Sequence, residues 1–149
     1  MKFRSRSAIN EFVFHDSSIV DIELNGRNVR VNLAFAHILK GHPSNPMETA
    51  QCIKPCVIEF IDVSSQSARL WDETARAFKE HPAPHSPLSC EISKFDADEL
   101  NDRVRARVTG FHREGWSEWT LECAAIEVAW DEFAGSAWFV NWPGAPTAP

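Results

Sequence analysis

Tyrosine is absent from this chain of 149 residues, which has only 2 Met and 6 Gly. Losing Tyr removes one common acid–base group and an aromatic that is favoured at interfaces. No apolar run approaches the roughly 18 residues of a membrane-spanning helix, so no membrane association is expected. The opening Met1-Lys2-Phe3-Arg4-Ser5-Arg6-Ser7 has the charge of an export signal. Asn10, Glu11, His15 and Asp16 interrupt the apolar stretch that such a signal needs. A cytoplasmic protein is therefore expected, with reduced thiols at Cys52, Cys56, Cys90 and Cys123. Cys52 and Cys56 are spaced one residue wider than a redox CxxC, and no further Cys/His pair completes a zinc site. Metal-protease, phosphate-loop, nucleophile-elbow and dinucleotide-binding motifs are all missing, as are internal repeats and heptads. No cofactor or catalytic residue is indicated.

The most telling deficit is of one charge sign in one place. Of the 15 Lys+Arg none follows Arg113, whereas Glu114, Glu118, Glu122, Glu127, Asp131 and Glu132 do, with five of the 6 Trp. The first 113 residues balance, so the formal charge of -6 belongs wholly to the C-terminal quarter. Phosphate-backbone binding needs clustered Lys/Arg, which excludes a nucleic-acid partner and favours a basic or amphipathic protein.

What is present has the texture of a globular protein: 44% hydrophobic and 24% charged residues, and a length that suits one domain over 1–149. Two alternating runs flank Asn25-Gly26, the signature of a hairpin. With those two residues as the loop, Ile22 faces Val29, Val20 faces Val31 and Asp21 faces Arg30. A second hairpin is expected from Cys56–Val63 to Ala68–Trp71 across Ser64–Ser67. A short helix is expected over Asp72–Glu80, on the strength of an N-terminal Asp and good helix formers. The Pro-rich His81–Pro87 reads as a loop, Leu88–Phe95 as a strand and Asp96–Leu100 as a single helical turn.

A last hairpin runs from Arg103–Thr109 to Glu118–Cys123. A Glu114-Gly115 loop would set Val108 against Leu121, Ala106 against Cys123 and Arg107 against Glu122. Beyond Cys123 the apolar positions change parity to Ile126, Val128 and Trp130, which requires a bulge or break at Ala124-Ala125. Residues 141–149 read as an irregular tail. The sum is a mainly β fold, an antiparallel sandwich or partly open barrel of about seven or eight strands with one or two short helices.

Few residues carry chemistry. His15-Asp16 could ligate a metal, but the pair stands at a strand edge, where Asp16 suits a turn. His81 and His85 have helical spacing that Pro82 and Pro84 defeat. Among the tryptophans, Trp119 and Trp130 fit inward faces, while Trp138 and Trp142 fall outside any firm strand. Glu118 and Glu122 find Arg partners across the last hairpin. Glu127, Asp131 and Glu132, with Trp138 and Trp142, are left as the expected partner-binding residues.

Phe14-His15-Asp16, the run Ser18–Leu24 with its hairpin, and a Trp-rich strand near the end resemble small bacterial β-rich proteins, some of them similar to immunity proteins of polymorphic toxin systems. The resemblance covers mainly residues 12–35 and more loosely 116–130. It implies binding without turnover, in which a toxin domain is held inactive by covering its surface. The leading expectation is thus a non-catalytic protein-binding domain. A small-ligand β-barrel and a self-associating subunit, a homo-oligomer, are the alternatives.

Overall fold

The computed structural model describes residues 1–83, 91–112 and 115–147. The described residues form two antiparallel sheets packed as a sandwich, without barrel closure. The first sheet has seven strands: β1 (Phe3–Ser5), β2 (Phe12–Val13), β3 (Ile19–Asn25), β4 (Asn28–Leu33), β5 (Ala36–Ile38), β6 (Gln51–Ile61) and β12 (Ala125–Ser136). Its order is β1-β12-β6-β4-β3, with β5 and then β2 continuing alongside the start of β6. The second has five, β7 (Ser65–Asp72), β8 (Ala77–His81), β9 (Glu91–Leu100), β10 (Arg103–His112) and β11 (Gly115–Cys123), in the order β8-β7-β11-β10-β9. One 3₁₀ turn, Ile9–Glu11, is the only helical element among the described residues, and no helix there could cross a membrane.

The expected bulge at Ala124-Ala125 is the point where the chain leaves one sheet for the other. Cys123 ends β11, Ala125 begins β12, and the buried positions change from Trp119, Leu121 and Cys123 to Ile126, Val128 and Trp130. The chain does the same between β6 and β7. Ser64–Ser67 is therefore no hairpin turn, and β6 and β7 pair with β12 and β11 instead of with each other. The two crossings lie side by side, joined by hydrogen bonds from Ser64 N–H to Glu122 O (2.8 Å) and from Ala124 N–H to Ile61 O (2.8 Å).

In both hairpins the loop moves by one residue from the expected position, so each cross-strand partner shifts by two and the faces are kept. Asn25 pairs with Asn28, so the loop is Gly26-Arg27, Leu24 faces Val29 and Glu23 faces Arg30. Positive φ is taken by Gly26 (61°) at the first loop position, the pattern of a type II′ turn. Asn28 is drawn into the strand by its amide, which donates to Glu59 Oε1 (3.0 Å) and accepts from Asp62 N–H (3.0 Å). In the last hairpin His112 pairs with Gly115, Val108 faces Trp119, and Arg105, not Arg107, faces Glu122. The expected loop residue Glu114 lies outside the described residues.

Neither expected helix forms. Asp72 does act as a cap, since its Oδ1 accepts from Ala75 N–H (2.9 Å), but the cap closes a turn between β7 and β8 with Arg76 at φ 48°. Trp71 against Phe78 and Arg69 over the Phe78 ring then reward strand pairing, where an isolated nine-residue helix would bury nothing. Asp96–Leu100 continues β9, because Phe95 and Ala97 alternate into the core. Of the Pro-rich loop, residues from Pro84 onward lie outside the described residues, as does Cys90.

The core lies between the sheets. Phe60 meets Trp119 (5.8 Å between ring centroids) and Phe95 (6.5 Å), and Trp130 packs on Phe3 (5.5 Å) and Phe12 (5.8 Å). At the crossing, Asp62 takes φ 54° and is held from both sheets. Its Oδ1 pairs with Arg27 Nε (3.0 Å), its Oδ2 with Arg103 Nη1 (3.5 Å), and its carbonyl accepts from Arg103 Nη2 (2.6 Å). Asp tolerates the left-handed region better than Ala, and the pairs are partly solvent-screened. Asp62→Ala should cost about 1–2 kcal/mol and Asp62→Asn about half as much, read from urea-denaturation midpoints.

Candidate functional site

After β12 the chain makes three linked turns: Val140 N–H to Ala137 O (3.1 Å), Trp142 N–H to Phe139 O (3.0 Å) and Ala145 N–H to Trp142 O (3.1 Å). Positive φ at Asn141 (73°) and Gly144 (76°) lets the turns tighten. Ala137 is tied to the sheet by its N–H on Ala50 O (2.9 Å), and Phe139 sinks into a second, small core with Leu39, Ala50 and Ala137. Its ring meets His37 edge-on at 5.2 Å. The described part of the segment is thus built of turns and is seated on the sheet.

Seating Phe139 turns its neighbours outward. Trp138 is 49% and Trp142 61% exposed, and their rings meet edge-to-face at 5.2 Å with an 87° interplanar angle. The same segment borders an apolar groove of about 480 Å³, formed by Leu39, Ala50, Phe139, Val140, Ala145 and Pro146. The groove's other wall is the loop after β5, which Asn45 organises. Its buried amide donates to Leu39 O (3.0 Å) and Thr49 O (3.1 Å), and its oxygen accepts from Met47 N–H (3.0 Å).

The expected acidic residues do not join this surface. Glu127 is buried, with one carboxylate oxygen on Arg4 Nη1 (3.1 Å) and the other on Arg6 Nε (2.8 Å). Asp131 Oδ1 accepts from Lys2 N–H (3.0 Å) and lies 3.3 Å from the N-terminal ammonium. Glu132 is exposed and stands opposite Lys54. The expectation that these acids lack basic neighbours is overturned for Glu127 and Asp131 because β1 pairs with the outer edge of β12, and Glu132 faces Lys54 of β6. One signal was legible: Arg4 and Arg6 alternate about Ser5, which places both on one face of an extended strand. Of the remaining acids, Glu122 meets Arg105 across the last hairpin (2.6 Å). Glu118 pairs with Arg69 of β7 (2.5 Å) and not with an Arg of β10, because it faces Thr109 there. Glu114 lies outside the described residues.

His15 and Asp16 resolve into a local turn. His15 Nε2 lies 3.2 Å from Asp16 Oδ1, its Nδ1 lies 2.8 Å from Ser93 O, and Asp16 has φ 64°. Among the described residues no three His, Cys, Asp or Glu side chains are grouped to hold a metal ion. Burial pushes the Cys56 thiol far up and that of Cys123 up to about 11, so neither supplies a thiolate at neutral pH.

Two histidines absent from the expected site are buried, His37 against Phe139 and His42 against Phe12. His42 Nδ1 accepts from Ser44 N–H (3.0 Å), which fixes the ring hydrogen on Nε2 facing Ser7 O (3.3 Å). That tautomer leaves Ser5 Oγ, 3.5 Å from Nε2, no base to activate it. Burial lowers the pKa of both histidines. It outweighs, for His37, the Val13 backbone bond and Asp16, and, for His42, the Ser7 backbone bond and Glu11.

Comparison with known protein families, with curated proteins and with solved structures finds no match.

Two measurements follow from these environments. Because Glu127 is buried while Arg4 and Arg6 are about two-thirds exposed, removing the bases strands a buried charge, whereas neutralising the acid strands nothing. Arg4→Ala/Arg6→Ala should cost about 2–4 kcal/mol and Glu127→Gln about 1 kcal/mol or less in urea denaturation. For the histidines the unfolded chain takes up protons near its ordinary value of about 6.5, and the folded chain only at lower pH. Stability is therefore full above that value and falls as pH drops below it, by up to about 1.4 kcal/mol per pH unit for each histidine. Urea midpoints at about pH 7.5 and about pH 5.5 check this.

Proposed function

We propose that this protein is a non-catalytic binding domain that holds an amphipathic protein partner through Trp138, Trp142 and the adjoining apolar groove. The observation that carries the reading is that two half-exposed tryptophans stand on a turn fixed from beneath by Phe139 and Ala137. Exposed aromatics of this size cost solvation, and ones already held in place lose little conformational freedom on binding, which is how interface hot spots are built. The groove offers room for an apolar side chain of the partner.

The binding surface is aromatic more than acidic, since Glu127 and Asp131 are engaged within the fold. An amphipathic partner fits this surface better than a purely basic one. An immunity-type inhibitor, which covers a toxin without altering it chemically, works in this way, and the resemblance at residues 12–35 supports that form of the proposal.

A photo-crosslinking amino acid placed at position 142 in the native host should give one discrete conjugate, identified by mass spectrometry and absent when the probe sits at the exposed Glu99. Identical conjugates at both positions, or none at 142, would refute the reading. With that partner in hand, Trp138→Ala and Trp142→Ala should each weaken binding by about 2 kcal/mol, roughly 30-fold. The same changes should move unfolding stability by no more than about 0.5 kcal/mol.

A further inference from the structure

At the β1–β12 side of the sandwich the two sheets part around a cleft of about 700 Å³. β1 pairs with β12 only along Val128–Trp130, and from Arg6 the chain turns away into the 3₁₀ turn Ile9–Glu11, so β1 does not continue beside Ala125 and Ile126. Ala124, Ala125 and Ile126 floor the gap. The segment from Arg6 to Glu11 forms one wall, and Ala97–Glu99 of β9 with Val104 of β10 forms the other. The turn is fixed in place: Glu11 N–H donates to Ala8 O (2.8 Å), Leu39 N–H to Glu11 O (2.9 Å), and Asn10 Nδ2 to Ala97 O (3.4 Å). A ligand would therefore meet a wall that is already ordered.

The charges on the two walls do not balance. Arg6 is the one base among the described lining residues, and its Nε is already committed to Glu127 Oε2 (2.8 Å). Glu99 shares the inner face of β9 with Ala97, because it stands opposite Val104 as Ala97 stands opposite Ala106, whereas Asp98 is on the outer face opposite Arg105. Glu11 brings a carboxylate whose Oε2 is fully covered and receives no hydrogen bond. Among the described residues neither Glu11 nor Glu99 is in an ion pair. A covered carboxylate oxygen without a donor is costly, and a nearby cation relieves it by supplying charge and donors together. Apolar contact is offered by Ile9, Val104 and Ile126, which belong to the edge of the main core.

We infer that this cleft binds a small organic cation, with an ammonium or amidinium head directed to Glu11 and Glu99 and an apolar body resting on Ile9, Val104 and Ile126. Its volume falls in the range of small-molecule sites, roughly 300–1,000 Å³. An anion is disfavoured, since the two carboxylates face no uncommitted base. A bare metal ion is disfavoured as well, because hard divalent cations take several oxygen ligands and no three His, Cys, Asp or Glu side chains are grouped among the described residues. None of the lining residues belongs to the Trp138 surface or its groove, so the two proposals stand or fall separately.

The test uses the full chain, labelled for amide NMR, and phenethylammonium as the probe, with phenethyl alcohol and phenylacetate as neutral and anionic controls of the same size. Saturable shifts confined to residues 6–11, 97–99 and 124–126 are expected. The alcohol should bind about tenfold more weakly than the cation, and phenylacetate should give no saturable shift. Glu11→Gln and Glu99→Gln should each weaken the cation about tenfold and leave the alcohol unchanged. Ala125→Leu, which fills the floor, should abolish binding of both, whereas Trp138→Ala/Trp142→Ala should leave it intact. Glu99 is exposed, so Glu99→Gln keeps the fold and decides the matter even where Glu11→Gln or Ala125→Leu loses stability. Equal binding of the alcohol and the cation, shifts centred elsewhere, indifference to Glu99→Gln, or no saturable shift up to about 10 mM probe would each overturn the inference.

Discussion

The molecule hangs on one paired ribbon that serves both sheets. β6 running into β7 lies antiparallel to β11 running into β12, so a single two-stranded unit bends from one layer to the other. Ala125 pairs with Ile61 and Glu122 with Ser65, which leaves residues 62–64 facing 123–124. The extra residue is what allows one strand to change the parity of its buried positions while its partner keeps it. Asp62 absorbs the bend with a positive φ and binds Arg27 from one sheet and Arg103 from the other. Remaining strands are added to one or the other end of this ribbon, and their register is inherited from it.

The charge segregation along the chain is resolved by the same topology. Acids in the C-terminal quarter sit beside bases from far upstream, Glu127 with Arg4 and Arg6, Asp131 with the N-terminus, Glu118 with Arg69. A quarter without Lys or Arg is thus no acidic face. It is one half of a set of pairs whose other half lies far upstream, Arg4 preceding Glu127 by 123 residues and Lys2 preceding Asp131 by 129. Most of these pairs are solvent-exposed and contribute little stability. Glu127 differs, because its carboxylate is covered.

Burial of Phe139 and exposure of Trp138 and Trp142 are two sides of one geometry. A chain segment folded in tight turns presents alternate directions to the protein and to solvent, and the buried direction is fixed by Ala50, Leu39 and the neutral ring of His37. The result is a pair of exposed aromatic rings that meet each other and flank the seated Phe139.

Local patterning by itself determined the β class, the existence of the first and last hairpins, the parity break after Cys123, and the inward tryptophans Trp119 and Trp130. These follow from period-two alternation and turn chemistry, which act over a few residues. What only tertiary structure decided depends on neighbours distant in sequence. Asn28 reaching Glu59 and Asp62 pulled the first hairpin one residue along. Strand pairing at Trp71 and Phe78 turned a segment of good helix formers into a hairpin. The position of β1 beside β12 engaged Glu127 and Asp131 within the fold, and the seating of Phe139 left Trp138 and Trp142 exposed. Each outcome is a competition between a local preference of at most about 1 kcal/mol per residue and a contact that exists only once the sheets are assembled.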